Sequence, residues 1–122
     1  MGPLAPALLV EDDPDIREDL ADLLRLHGFE VQTAANGAEA LAMLQKGPLP
    51  GVILLDLMMP VMNGWAFREK QLQDRTLSPI PVIVITGAAD PEREASALSA
   101  AGFVGKPFDT GQLMRMISRY CS

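Results

Sequence analysis

Val52-Ile53-Leu54-Leu55 is an uninterrupted apolar run that stops on a carboxylate, Asp56. A strand with one wet face alternates apolar and polar residues, so a run without alternation is covered on both faces. Val82-Ile83-Val84-Ile85 repeats the pattern before Thr86-Gly87, and Ala7-Leu8-Leu9-Val10 does so before Glu11-Asp12-Asp13. Two weaker runs complete the set. Phe29 to Ala35 holds a short second strand, and Gly102 to Gly105 a fifth that ends at Lys106-Pro107.

Helical signals lie between these runs. Asp13-Pro14 and Asp90-Pro91 each pair an N-cap with a proline suited to the first helical position. Ile16, Leu20, Leu23 and Leu24 follow at helical spacing, and His27-Gly28 closes that helix. Asn36-Gly37-Ala38-Glu39 resembles a capping box and opens a helix ending at Gly47-Pro48. Asn63-Gly64 leads into a third helix through about Gln73. A fourth runs from Glu92 to Ala100, and Asp109 caps a fifth with Leu113, Met116, Ile117 and Tyr120 on one face. Buried strands alternating with helices predict a doubly wound, five-stranded parallel α/β sheet with helices on both faces.

The 122 residues make one domain, 1–122, with Met1 to Pro6 expected to be a disordered lead-in or an expression remnant. No apolar run approaches the roughly 20 residues that cross a bilayer, and the start lacks the pattern of a signal peptide. Sixteen acidic against ten basic residues make the domain a poor nucleic-acid binder. One cysteine, Cys121, excludes an internal disulfide and, with one histidine, a zinc site; a cytoplasmic location is expected.

In doubly wound sheets the ligand site lies beyond the carboxyl ends of the strands. Glu11, Asp12 and Asp13 follow the first strand, Asp56 the third, Thr86 the fourth and Lys106 the fifth. Asp13 is accounted for as a cap. Two carboxylates about 5 Å apart repel by roughly 3 kcal/mol at an effective dielectric near 20. A cluster of three therefore raises its members' pKa values or recruits a cation. With oxygen ligands only, that cation is Mg²⁺. A lysine and a hydroxyl opposite supply donors to anionic oxygens, and an Asp between metal and lysine is placed to attack phosphorus.

Four segments carry a resemblance: Leu8-Leu9-Val10-Glu11-Asp12-Asp13; Val52 to Pro60 with Asn63-Gly64; Val82 to Gly87; and Phe103-Val104-Gly105-Lys106-Pro107-Phe108. In this order and at these spacings the chain resembles the response-regulator receiver family from about Leu8 to Tyr120. The resemblance implies a flavodoxin-like sheet with strand order 2-1-3-4-5 and a phosphorelay function. Asp56 is then the phosphoacceptor, charged by a phosphohistidine on a sensor histidine kinase or a histidine phosphotransfer protein. Glu11, Asp12, Asp56 and the Met58 backbone carbonyl hold Mg²⁺. Lys106 pairs with a phosphoryl oxygen, Thr86 moves to bond another, and Phe103 is the aromatic switch residue. A cis Lys106-Pro107 bond is expected. The output is a protein target met by the helix four–strand five–helix five face, with the chain a monomer or weak dimer.

Three departures from the family pattern stand out. Phe103 is often Tyr. Gly87 replaces a small residue after the Thr and loosens that loop. Met58 and Ala88 put apolar side chains where polar ones help orient a hydrolytic water, which predicts slow self-dephosphorylation. Trp65 reads as a packing residue and His27 as a helix end. Helix four, rich in Ala and Ser, reads either as an element that shifts on activation or as one packed closely.

Rival readings remain open at this level. A receiver segment of a larger kinase or transcription regulator carries the same residues. A phosphatase of the haloacid-dehalogenase type shares the aspartyl phosphate but wants an acid where Met58 stands. A dinucleotide- or flavin-binding domain needs a glycine-rich loop where Glu11-Asp12-Asp13-Pro14 stands. An interaction-only receiver would have lost an acid, the acceptor or the lysine.

Overall fold

A computed structural model of the chain describes residues 5–87, 90–105 and 109–121. The elements alternate strictly: β1 Ala7–Val10, α1 Pro14–Leu26, β2 Val31–Ala34, α2 Gly37–Lys46, β3 Val52–Asp56, α3 Gly64–Leu72, β4 Val82–Thr86, α4 Pro91–Ala97, β5 Gly102–Gly105 and α5 Thr110–Cys121. The strands form one parallel sheet in the order β2-β1-β3-β4-β5, as expected. No helix among the described residues is long and apolar enough to cross a membrane.

Alternate side chains of each strand point to opposite faces, and each face has its own core. Leu8, Val10, Ile53, Leu55, Val82 and Val84 pack with Ala40, Leu44, Phe67, Ala95 and Leu98 from α2, α3 and the α4 end. Leu9, Leu54, Ile83, Ile85 and Val104 pack with Leu20, Leu24, Leu113 and Ile117 from α1 and α5. β3 is buried at all five positions, which explains its lack of polar alternation. Pro6 is also buried, and its carbonyl accepts from the Gly51 N–H at 2.8 Å. The end of the expected lead-in therefore packs on the fold, while residues 1–4 lie outside the described part.

The caps form where the sequence signals them. Asp13 accepts from the Asp15 and Ile16 N–H groups, Asn36 from Glu39, Asn63 from Ala66, Asp90 from Arg93 and Asp109 from Gln112. α4 is shorter than expected, ending at Ala97 rather than Ala100. The reason is a left-handed Ser99, at φ 53°. Ser99 N–H bonds Ser96 O and Ala100 N–H bonds Ala95 O, the paired closure of a Schellman motif. α1 closes the same way around Gly28, at φ 91°. Serine in glycine's place hid the second closure from the sequence reading.

Candidate functional site

Strand register brings the polar residues to one sheet edge. Val10 is opposite Leu55, so Glu11 emerges beside Asp56. Asp56 is opposite Ile85, and Thr86 one step on is opposite Gly105. Lys106 follows Gly105 directly in sequence but lies outside the described residues, as do Pro107 and Ala88. The expected cis bond and the lysine's placement are therefore not described.

Glu11, Asp12 and Asp56 each present a carboxylate oxygen, and the three oxygens lie within 4.8 Å of one another. Glu11 and Asp56 are buried, and Asp12 is half-buried. Backbone N–H groups engage one oxygen of each buried acid: Asp12 N–H donates to Glu11 Oε2 at 3.1 Å and Met58 N–H to Asp56 Oδ1 at 3.3 Å. Behind the cluster lies a small hollow walled by Leu9, Ile16, Leu20 and Ile85. Apolar walls lower the local dielectric and strengthen the mutual repulsion of the carboxylates. Hard oxygen donors gathered this closely fit a small divalent cation, so the donor set agrees with the expected Mg²⁺.

Asp56 is held by the end of a fully buried strand, and the loop after it is tightly built. Met62 N–H bonds Pro60 O at 2.7 Å around Val61, whose φ is 67°. A β-branched residue in that region is strained by roughly 1–3 kcal/mol. The chain returns at Gly64, whose N–H bonds Leu57 O at 3.0 Å. A Cβ at Gly64 would come within 2.8 Å of the Asp56 carbonyl oxygen and of Leu57 Cα, so only glycine lets the loop close under Asp56. Met59 and, in part, Met62 pack into the core below, whereas Met58 is 72% exposed.

Thr86 is buried at the end of β4, and Phe103 is exposed on β5. An added Cβ at Gly87 would meet nothing within 4 Å, so packing does not demand glycine there. The sequence reading missed Arg17. Its Nη1 donates to the Glu11 carbonyl at 2.9 Å and the Asp12 carbonyl at 3.4 Å, holding the loop that carries both acids. An arginine one turn into α1 reads as surface charge, and its reach back to the loop shows only in three dimensions. His27 sits at the α1 end with Nδ1 2.9 Å from Leu23 O, as a helix-end residue does.

The model of the response regulator receiver domain matches residues 7–118. PilH of Pseudomonas aeruginosa is 32% identical over 118 residues, covering 94% of this chain and 96% of that protein. The response regulator Rre1 of Synechocystis is 34% identical over 113 residues, or 90% of this chain, which spans only 48% of Rre1. Among solved structures, the chemotaxis protein CheY4 of Vibrio cholerae superposes with TM-score 0.83 at 34% identity, over 96% of this chain and 98% of that one. TrrA of Thermotoga maritima, solved in complex with Mg²⁺-BeF, gives TM-score 0.82 at 28% identity over 95% and 98%. On the extent of these matches and the fold, the chain belongs to the response regulator receiver domain family.

Proposed function

We propose that the chain is a phosphorylatable switch of a two-component phosphorelay whose acceptor is Asp56. Receiver domains are signal transducers rather than enzymes of metabolism, and the chain's chemistry is confined to its own carboxylate. The observation that carries this reading is the closeness of three carboxylates, within 4.8 Å, around an Asp buried at the end of the central strand. Burial of like charges at this spacing is unfavourable unless a cation and a ligand make use of it.

In the proposed step an Asp56 carboxylate oxygen forms a P–O bond as the donor's P–N bond breaks. The donor imidazole leaves with the bonding pair and regains a proton from solvent. Glu11, Asp12, Asp56 and the Met58 carbonyl would hold Mg²⁺, which when bound supplies positive charge to the phosphoryl oxygens. Glu11 and Asp12 are kept in register by the Arg17 contacts to their carbonyls. Lys106 pairs with one phosphoryl oxygen and the Thr86 hydroxyl donates to another. Phe103, exposed in this structure, turns inward as Thr86 moves, altering the α4–β5–α5 face that meets the target. That the similar TrrA was solved in complex with Mg²⁺-BeF supports Mg²⁺ as the ion of this site.

A second reading concerns context. The chain spans about half of Rre1 and of the Haemophilus influenzae CpxR homolog, but nearly all of PilH. The same domain therefore serves as a complete regulator or as the input half of a longer one.

Intact mass after incubation with acetyl phosphate and Mg²⁺ tests the acceptor. One phosphoryl group should be gained by the wild type and not by Asp56→Asn, nor by either without metal. Failure with acetyl phosphate and also with a phosphohistidine donor would overturn the reading.

A further inference from the structure

Two hollows on the surface meet at Trp65. One is bounded by Met58, Trp65, Thr86, Gly87 and Glu94. The other runs on between α3 and the end of α4, bounded by Trp65, Glu69, Leu72 and Ala97 over a floor of Arg68 and Leu98. Together they make one groove. Its α3 wall is a single helical stripe, because residues 65, 68, 69 and 72 recur at i, i+3, i+4 and i+7. Trp65 and Leu72 lie about 10 Å apart along that helix.

The groove is apolar where a soluble domain is usually polar. Trp65 is 37% exposed, Leu72 48% and Met58 72%. Ala97 on the opposite wall is too small to cover them. The width of the groove is held from below: Arg68 on α3 donates through Nε to Leu98 O and through Nη2 to Ser99 O, each at 3.0 Å. The cation that lines it, Arg68, is buried and donates to Leu98 O, Ser99 O and Gln71 Oε1, so the charges left at its surface are acidic. Glu69 and Glu94 line it, while Lys70 and Arg93, the cations beside them in sequence, do not. Its upper end is formed by Met58, Thr86 and Gly87, next to the acceptor edge.

The geometry points to this groove as a docking site for a basic amphipathic helix of a partner protein. Two exposed apolar anchors at i and i+7 suit the apolar stripe of an approaching helix, and the two rim carboxylates select lysine or arginine on its flanks. A tryptophan at the middle of the contact is the residue type that most often dominates such interfaces. The site takes the side of α4 that faces α3, so it shares that helix, but not β5 or α5, with the α4–β5–α5 output face.

The test uses the unphosphorylated full chain and follows Trp65, its only tryptophan, by fluorescence. The probe is a synthetic helix of about 18 residues with Leu at i, i+3, i+4 and i+7 and Lys on the flanks, beside a second with Glu for every Lys. Saturable binding of the lysine peptide with a Trp65 shift is expected, and none of the glutamate peptide. Glu69→Lys/Glu94→Lys and, separately, Leu72→Ser should weaken it about ten-fold. Glu18→Lys/Asp19→Lys on α1 makes the same charge change elsewhere and should leave affinity within about two-fold. No saturable binding, equal binding of the two peptides, or equal losses from the α1 and groove reversals would overturn the proposal. Circular dichroism of each variant ensures that a loss is read on folded protein.

Discussion

The guanidinium of Arg68 reaches the Ser99 carbonyl at 3.0 Å, joining α3 to the residue whose left-handed turn ends α4. The same side chain donates to Leu98 O at 3.0 Å and to Gln71 Oε1 at 2.8 Å. Gln71 in turn donates to Leu77 O and Ile80 O, both at 3.0 Å, in the segment leading to β4. Arg68 and Gln71 are both buried, and burial pushes the arginine's pKa down from its usual value. The carbonyls at the C-terminal end of α4 carry the negative end of its dipole, so they meet this cation with partial charge.

Removing the guanidinium should therefore be costly. Arg68→Met keeps much of the volume but leaves Leu98 O, Ser99 O and Gln71 Oε1 without their donor. At about 1–3 kcal/mol for a buried acceptor left unmade, a loss near 3 kcal/mol in urea unfolding is expected. Arg68→Lys should recover part of it, since an ammonium has three donors but not the planar fork. A loss below about 1 kcal/mol for Arg68→Met would show that water replaces the clamp.

This clamp marks the limit of what the sequence made legible. The strands were readable because Val52 to Leu55 and Val82 to Ile85 are buried on both faces, and burial on both faces removes polar alternation. The caps were readable because Asp13, Asn36, Asp90 and Asp109 bond backbone within three residues of themselves. The clustering of Glu11, Asp12 and Asp56 was readable because Asp56 ends β3 and the other two lie within two residues of the end of β1. Arg68 and Gln71 bond groups up to 31 residues away, and in a helix they look like a solvated face. Trp65, expected to pack, is 37% exposed and also borders both hollows of the groove. Nothing local distinguishes these cases.

Cys121 supplies a pH signature. Burial at the end of α5 pushes its thiol up from an ordinary 9.0 to about 11. The folded state thus favours the neutral thiol. The stability this contributes is fully present below pH 9 and is lost as pH rises from 9 to about 11. Over that window the wild type should lose about 2–3 kcal/mol relative to Cys121→Ala, which has no thiol to ionise. Urea unfolding of both proteins at several pH values checks this. A constant difference between them would mean that the thiolate is accommodated without cost.

The carboxylate cluster should weaken the metal-free fold. At the separation found here, each pair repels by roughly 3 kcal/mol at an effective dielectric near 20, before solvent screening. Asp12 is half-buried, so about 1 kcal/mol of stabilisation is expected for Asp12→Asn in a chelator. Mg²⁺ should reverse the order. At about 100 times its dissociation constant it would stabilise the wild type by roughly 2.7 kcal/mol, and the variant by much less. Thermal unfolding with and without Mg²⁺ reads both effects. A wild type indifferent to Mg²⁺ would remove the metal from the proposed site.

The lifetime of the phosphoryl group should be set partly by Met58. Its backbone N–H donates to Asp56 Oδ1 at 3.3 Å, while its side chain, two residues on from Asp56, is 72% exposed. A thioether gives an attacking water no strong hydrogen-bond partner, so water reaches phosphorus without being aligned for in-line displacement. Met58→Asn places an amide there with both a donor and an acceptor. Loss of the phosphoryl mass should then quicken about ten-fold once the donor is removed, a modest share of what positioning can supply. Ala88→Glu, at the corresponding position after Thr86, tests the same idea on a residue outside the described structure. The Met58→Asn effect should persist in an Arg68→Lys background, because the clamp on α4 touches neither Asp56 nor Met58. Equal half-lives for the wild type and both single variants would assign the slow step to something other than water alignment.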